Sequence, residues 1–577
     1  MKYLFMCIFA LLGLASFGTW YYSPDTYSDV PVIYWVTDPN PARIEQIAIF
    51  QRWLKKDPSR PAMKVLVDAA NSRTEKKIIQ GVSGVGGDTM DIGGGGGMRY
   101  FNAIGLLEPI TEFAKKYNYG LDTTFEAIRP ELAQDGEQYM YPCNVAVPVY
   151  WVDNALFEDV GMAPPPLRWD FDTFERIGKE YVAKANNNNK RQTHFFADRV
   201  NTELLHRSMG LARFNETLTR CQLDDERYIK AMELRYKWMN QDHLTPTAAE
   251  ASGFDVESGY GGPAPFLFSR GNYAMFTSGR YALIRLRELQ QERLNNGMPL
   301  MKLGVLEPPH GGFPTTRATT RALGVYRGGK NKELAVIFQS YLASKDYNMQ
   351  VVRDADALPP NPKYTHTAAF EKPLPLLPST TNLKTMFSYS PDEYPMLNDF
   401  RITFYEALDQ VDRDKPWSIS DLPRPPKPTA MSEAQYQKKL EQFDTNYNAT
   451  LPVYTSEWGL HERFLFIIEK VALPSDLTPF AVPATVIMEI KNAEDEYINN
   501  RATAKASAQR AAKRINAAIQ RTLSESPALQ PKYDQLCEDQ KKIDQLRAAG
   551  RKVPAKLISN PFYLRYYRTQ GWLEEQE

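Results

Sequence analysis

Between residues 30 and 107, short β-branched and aromatic runs alternate with stretches of helical period, and this alternation restricts the fold more than any other feature of the chain. Val30 to Val36 is apolar and β-rich. Thr37, Asp38, Pro39, Asn40 and Pro41 supply turn and cap residues, after which Ile44, Ile47, Phe50, Trp53 and Leu54 recur at helical spacing. Lys64 to Val67 reads as a second strand, Ser72 to Gly81 as a helix whose Ser-Arg-Thr-Glu start has the form of a capping box, and Met90 to Ile92 as a third strand. Such succession calls for a parallel sheet with helices over its faces. Five glycines, Gly93 to Gly97, then precede a helix resuming at Met98.

Further along, Gly136 to Trp151 is strand-like and broken by Pro142 and Pro148, and Asn154 to Val160 and Asp170 to Val182 are helical, the second capped by Asp170 or Asp172. Thr202 to Gln241, Ser278 to Leu294 and Asn331 to Ala343 carry helical period. Leu303 to Val305 and Ala322 to Val325 are strand-like and flank a loop of Gly, Pro and Thr. Prolines cluster between Pro359 and Pro452 with few periodic elements, which reads as an insertion packed on the surface. Val486 to Leu523 is a long helical stretch. The tail after Ser524 is charged until Phe562, Tyr563, Tyr566, Tyr567 and Trp572, aromatics that either pack on the body or face a partner.

Composition removes several classes of function. Sixty-nine basic and 69 acidic side chains leave no formal charge, whereas a nucleic-acid binder usually carries a basic excess. With 43% hydrophobic residues the chain can bury large cores, and a mean hydropathy of -0.47 excludes a polytopic membrane protein. The cysteines Cys7, Cys143, Cys221 and Cys537 form no metal knuckle, and Cys143 and Cys221 either pair or sit unpaired in the core. Six scattered histidines give no zinc-hydrolase spacing, no Gly-x-Ser-x-Gly elbow occurs, and no Gly-Lys-Ser/Thr closes the glycine run, so neither a metal, a cofactor nor a catalytic residue is expected.

From Tyr3 to Pro24 no charge occurs, Lys2 precedes, and Leu4 to Leu14 is almost continuously apolar, the pattern of an export signal. The one small-x-small site is Ser16-Phe17-Gly18, while Trp20, Tyr21 and Tyr22 stand where an interfacial belt would lie. Residues 1–24 are thus a cleaved signal or an uncleaved anchor. Either places Asp25 onward outside the cytoplasmic membrane, periplasmic or extracytoplasmic.

Several segments together resemble the family 1 extracellular solute-binding proteins of ABC importers, the group that includes the maltose-binding type. They are Asp91-Ile92 with the glycines and Ile104-Gly105-Leu106-Leu107-Glu108-Pro109-Ile110; Asp135 to Pro142 with Tyr150 to Phe157; Trp169 to Phe174; Phe268 to Phe276 with Gly279-Arg280-Tyr281-Ala282; Ala322 to Val325 with Lys330 to Ala335; and Glu489 to Ala518. The resemblance covers about residues 30–370 and 460–523. It implies an α/β, two-lobed periplasmic binding protein (type II) fold with a cleft between lobes, closed by a hinge motion, plus a C-terminal helical extension. The expected division is 25–149 and 322–375 for one lobe, 150–321 and 461–523 for the other, 376–460 as an insertion and 524–577 as a tail.

Sugar binding needs flat apolar faces for C–H groups and fixed polar groups for hydroxyls, collected on loops at strand carboxyl ends. Thr37, Asp38 and Asn40 fit hydroxyl contacts, with helix capping as the plain alternative for Asp38 and Asn40. Gly95 and Gly96 would offer bare backbone N–H groups or merely a flexible connector. Asn144 on the crossing segment is a ligand contact or a hinge hydrogen bond, and Tyr260 is an aromatic on a loop. Tyr281 stands where the resemblance implies a stacking tryptophan. Arg317 holds a hydroxyl or anion, or is a solvated cation. The implied function is capture of a sugar or oligosaccharide for an ABC permease, with no chemistry performed. A membrane-anchored sensor or scaffold using the same fold and an exported carbohydrate-active enzyme are the alternatives.

Overall fold

The first strand, β1 (Val32–Val36), places Ile33 and Trp35 in one core and Val36 in another, the period-two arrangement of a strand covered on both faces. The structure is a computed structural model that describes residues 30–40, 42–93, 97–187, 192–254, 262–476 and 478–575. Strands β2 (Lys64–Asp68) and β3 (Thr89–Gly93) flank β1 in parallel, with β4 (Met140–Ala146) and β9 (Thr319–Val325) completing a five-stranded sheet in the order β2-β1-β3-β9-β4. A second sheet of four strands runs β8 (Leu303–Leu306), β5 (Val149–Asp153), β7 (Tyr273–Ser278), β6 (Phe195–Ala197). The chain crosses between sheets from Ala146 to Val149 and returns between Leu306 and Thr319, so two lobes share a hinge of neighbouring strands. A further passage at Ala472–Leu473 pairs in parallel with Thr316–Arg317.

Helix Ala42–Lys55 buries Phe50, Trp53 and Leu54 against the first sheet, with Phe338 and Tyr341 of helix Lys332–Tyr341 beside them. Helix Phe171–Ala185 is opened by Asp170, whose side chain accepts from Thr173 N. The expected capping box near Ser72 is absent. That helix spans Thr74–Val82 and its N-cap is Arg73, with no side-chain bond. Cys143 and Cys221 are buried and free.

The proline-rich stretch is richer in structure than its composition suggests. Helices Thr380–Phe387, Tyr394–Asp409, Glu433–Asn448 and Leu451–Thr455 enclose a core of Leu383, Phe387, Leu397, Phe404, Phe443 and Tyr447. Pro395 and Pro452 sit in the first turns of two of these helices, where a missing N–H costs no intrahelical bond. Arg401 ties this unit to Glu45 at 3.2 Å.

Helices Pro483–Ile498 and Ala504–Glu525 pack on the second lobe, and Gln530–Ala548 and Pro561–Thr569 follow. Of the tail aromatics, Phe562, Tyr563 and Tyr567 are buried with Ala212, Phe313 and Leu473, so this segment packs on the body. Gly210 has φ 81°, and a Cβ added there would lie 2.3 Å from the Tyr566 ring. Gly210→Ala is therefore expected to cost about 1–3 kcal/mol in urea unfolding through strain and overpacking together.

Candidate functional site

Strand registers locate the cleft. Gly93 at the end of β3 pairs with Arg321 at the start of β9, and Ala146 at the end of β4 pairs with Thr319. In the second sheet, Ser278 at the end of β7 pairs with Val149 and Leu306 at the end of β8 with Tyr150. The carboxyl ends of β1, β3, β6, β7 and β8 thus face the crossings from both sides, and the loops following them line the space between the lobes.

In the first lobe these loops meet over a buried ionic network. The Asp91 carboxylate accepts from Trp35 Nε1 at 2.7 Å, from the Thr37 hydroxyl and from Arg321 Nη1. Arg321 also faces Asp356 at 3.8 Å and Asp38 at 4.0 Å. Arg43 pairs with Asp38 at 3.0 Å and Asp356 at 3.3 Å. Burial raises the Asp38 carboxyl, but Arg43 and Arg321 outweigh it and hold the group below the usual range.

Of the expected site residues, Thr37, Asp38 and Asn144 come together in this network. Thr37 is fully buried and its hydroxyl is committed to Asp91, while Asn144 Nδ2 donates to Asp356 at 3.3 Å and the Asn144 carbonyl accepts from Thr320. Asp38 keeps nearly half its side chain exposed. Asn40 Oδ1 accepts from Ala42 N at 3.0 Å, the start of the helix that follows. Gly95, Gly96 and Tyr260 lie outside the described residues. Arg317 is set apart, pairing with Glu203 at 3.2 Å beside Arg213. Arg43, Asp91, Arg321 and Asp356 went unread as site residues. Their one signal is register, since Arg321 lies between Gly93 and Asn144 across the strands.

Tyr281 belongs to the second lobe. It sits on the turn Arg280–Ala282 directly after β7, over a third exposed, its ring against Gly279. The preceding Arg280 is buried and donates to the carbonyls of Val352 and Ala357 and to His461 Nδ1. Val352 lies in helix Lys345–Asp354, which packs on the first sheet through Tyr347 and Val351, so the turn carrying Tyr281 is fixed from the opposite lobe.

Burial sets the proton balance here. It lowers His206 and His461 to about 4 and raises Asp198 to about 6; burial with the neighbouring Asp356 raises Asp354 to about 7. Between pH 4 and 6 the unfolded chain binds extra protons at the two histidines, while the folded chain binds extra protons at the two aspartates. These contributions oppose, so stability should be nearly flat there. For Glu203 and Glu457 burial is outweighed by arginines, Arg213 and Arg287 foremost, and both carboxyls fall to about 2. Their contribution is present above about pH 4.5 and lost as pH falls through 2. Urea midpoints measured across pH should show a plateau from 4 to 6 and a steep fall below it.

Residues 65–349 match the family described as bacterial extracellular solute-binding protein. Among solved structures, the chain is similar to an ABC substrate-binding protein from Listeria monocytogenes in complex with cycloalternan, at 14% identity and TM-score 0.56, covering 85% of this chain and 100% of that one. A solute-binding protein from Thermotoga lettingae bound with α-D-tagatose gives 14%, 0.54, 85% and 100%. The maltose/maltodextrin-binding domain from Bdellovibrio bacteriovorus bound to maltotriose gives 13%, 0.52, 85% and 100%. The likeness is one of fold, the two-lobed architecture built above. Comparison with curated proteins finds no match.

Proposed function

We propose, from the membership of residues 65–349 in the bacterial extracellular solute-binding family, that this chain captures a sugar or oligosaccharide between its lobes and delivers it to an ABC permease. The reading is supported by strand-end loops of both lobes that lead toward the crossings, the loop with half-exposed Asp38 following β1 and the turn with the exposed Tyr281 ring following β7. A pyranose presents C–H faces to an aromatic ring and hydroxyls to carboxylates, a pairing these two side chains can make without a reaction. The structures bound with cycloalternan, tagatose and maltotriose support carbohydrate as the ligand class.

In this reading the lobes divide as 25–149 with 322–375 and 150–321 with 461–523, and Thr37, Asn40, Gly95, Gly96, Asn144 and Tyr260 join Asp38 and Tyr281 around the ligand, some of them by holding its direct contacts in place, while Arg317 stays paired with Glu203. The protein works outside the cytoplasmic membrane, and the energy for transport comes from the partner ATPase.

A thermal-shift screen with mono- and oligosaccharides tests the proposal. A sugar at 100 times its Kd should stabilise the chain by about 2.7 kcal/mol and be recovered unchanged. Tyr281→Ala should weaken that sugar roughly tenfold by titration calorimetry, about 1.4 kcal/mol. No shift with any sugar would move weight to a sensor or scaffold, and consumption of the sugar to an enzyme.

A further inference from the structure

The strand carboxyl ends of the first lobe face the cleft, so the start of β1, the start of β2 and the loops before β3 and after β9 form its far end. On the face of the sheet opposite Ile33 and Trp35, Tyr34 and Leu66 stand in register on neighbouring strands, 45% and 41% exposed. Helix Thr74–Val82 covers the same face but turns Lys77 and Gly81 inward, Lys77 Nζ to the Asp91 carbonyl and Gly81 against Leu106. Ile78 packs on the core, while Ile79 and Val82 are left pointing out, 65% and 71% exposed, as is Val85 in the following loop at 69%. Single exposed apolar residues are ordinary, whereas five on one end of a lobe form an interaction surface. Cations stand beside them. Tyr326 N donates to the Asp88 carbonyl and Tyr326 packs on Gly86, which sets the loop with Arg327 and Lys330 beside Val85. Lys64 opens β2, and all three cations are exposed and make no ion pair among the described residues.

We infer that this end of the first lobe rests on a lipid bilayer. The occupant follows from where the chain enters: the uncharged stretch Tyr3 to Pro24 is joined to β1 by residues 25–31, a span that reaches at most about 25 Å. Retained in a membrane, that stretch holds the start of β1, and with it the apolar patch, at the bilayer surface. An apolar face with three free cations beside it is suited to the headgroup boundary of an anionic membrane, and a lobe already held at the bilayer by its N-terminal stretch needs only a weak further contact to rest on it. The cleft opens at the opposite end of the lobe and stays free for a solute.

Hydrogen exchange of the full chain tests this, on vesicles of phosphatidylcholine with one quarter phosphatidylglycerol and in dilute detergent. Segments 64–68 and 76–86 should exchange about fivefold more slowly on vesicles, with helix Phe171–Ala185 of the second lobe unchanged. The double variant Val82→Asp, Val85→Asp should lose that protection. Equal exchange in both media would overturn the inference. So would protection that persists in detergent, which would mean a second copy or the chain's own N-terminus covers the patch, and so would a mature chain beginning after Pro24.

Discussion

Replacing Glu457 with alanine is expected to cost about 3–5 kcal/mol of folding stability, the range for removing one partner of a buried ion pair. Glu457 is buried and accepts from Arg287 Nε at 2.7 Å and Nη2 at 2.9 Å, while Arg287 Nη1 donates to the Arg353 carbonyl. Arg280 lies next to this pair, its guanidinium bonded to His461 Nδ1 and to two carbonyls, none of which is an anion. Glu457 is thus the foremost anion for two buried guanidiniums, ahead of Asp354 and Asp356, and its loss leaves Arg287 without its direct ionic partner. Glu457→Gln keeps a hydrogen-bond acceptor but no charge and should fall between wild type and alanine. Urea unfolding at pH 7 measures both, and a loss under about 1 kcal/mol for the alanine variant would show that water reaches the cluster. Because Arg280 fixes the turn that carries Tyr281, the same variant should also weaken sugar binding, more than its distance from the cleft suggests.

How far the sequence could be read depends on whether the signal is local. Strands β1, β2, β3 and β9 and helices Phe171–Ala185 and Lys332–Tyr341 declare themselves through periodicity within a dozen residues. The helices of the proline-rich unit do not, because their prolines mark helix starts and its core is drawn from helices far apart in the chain. The buried network at the cleft has no local signal at all: Arg43 meets Asp356 across 313 positions and Arg321 meets Asp91 across 230. Arg317, among threonines, draws attention in the sequence, yet Arg321 four residues on is the cation that strand pairing carries into the first lobe. Asn40 and Asn144 show the same limit from the other side, since residues chosen for possible ligand contact carry turn and hinge bonds that any such loop requires.

Arg321→Ala should be the most damaging single change at the site, again about 3–5 kcal/mol at pH 7.5. Without it Asp91, Asp356 and Asp38 lose their shared cation, and Arg43, already paired with Asp38 and Asp356, does not reach Asp91 in any ion pair among the described residues. The sign of the pH dependence separates this from a packing defect. Arg321 helps hold the Asp38 carboxyl below its usual range, so its removal lets Asp38 rise toward the unfolded value, and the variant's deficit is largest where Asp38 is ionised and shrinks as pH falls through the usual aspartate range, about 4 and below. A cavity left by a missing aliphatic stem would cost the same at both ends of that range. Urea midpoints at about pH 3 and pH 7.5 distinguish the two, with a pH-independent deficit sinking the electrostatic account. Arg321→Lys retains the charge but not the planar fork that serves Asp91 while facing Asp38 and Asp356, so it should recover most of the stability. Its sugar affinity should recover less, because the guanidinium bonds Thr37 and Asp91 together and so helps hold the loop from Thr37 to Asn40 against β3.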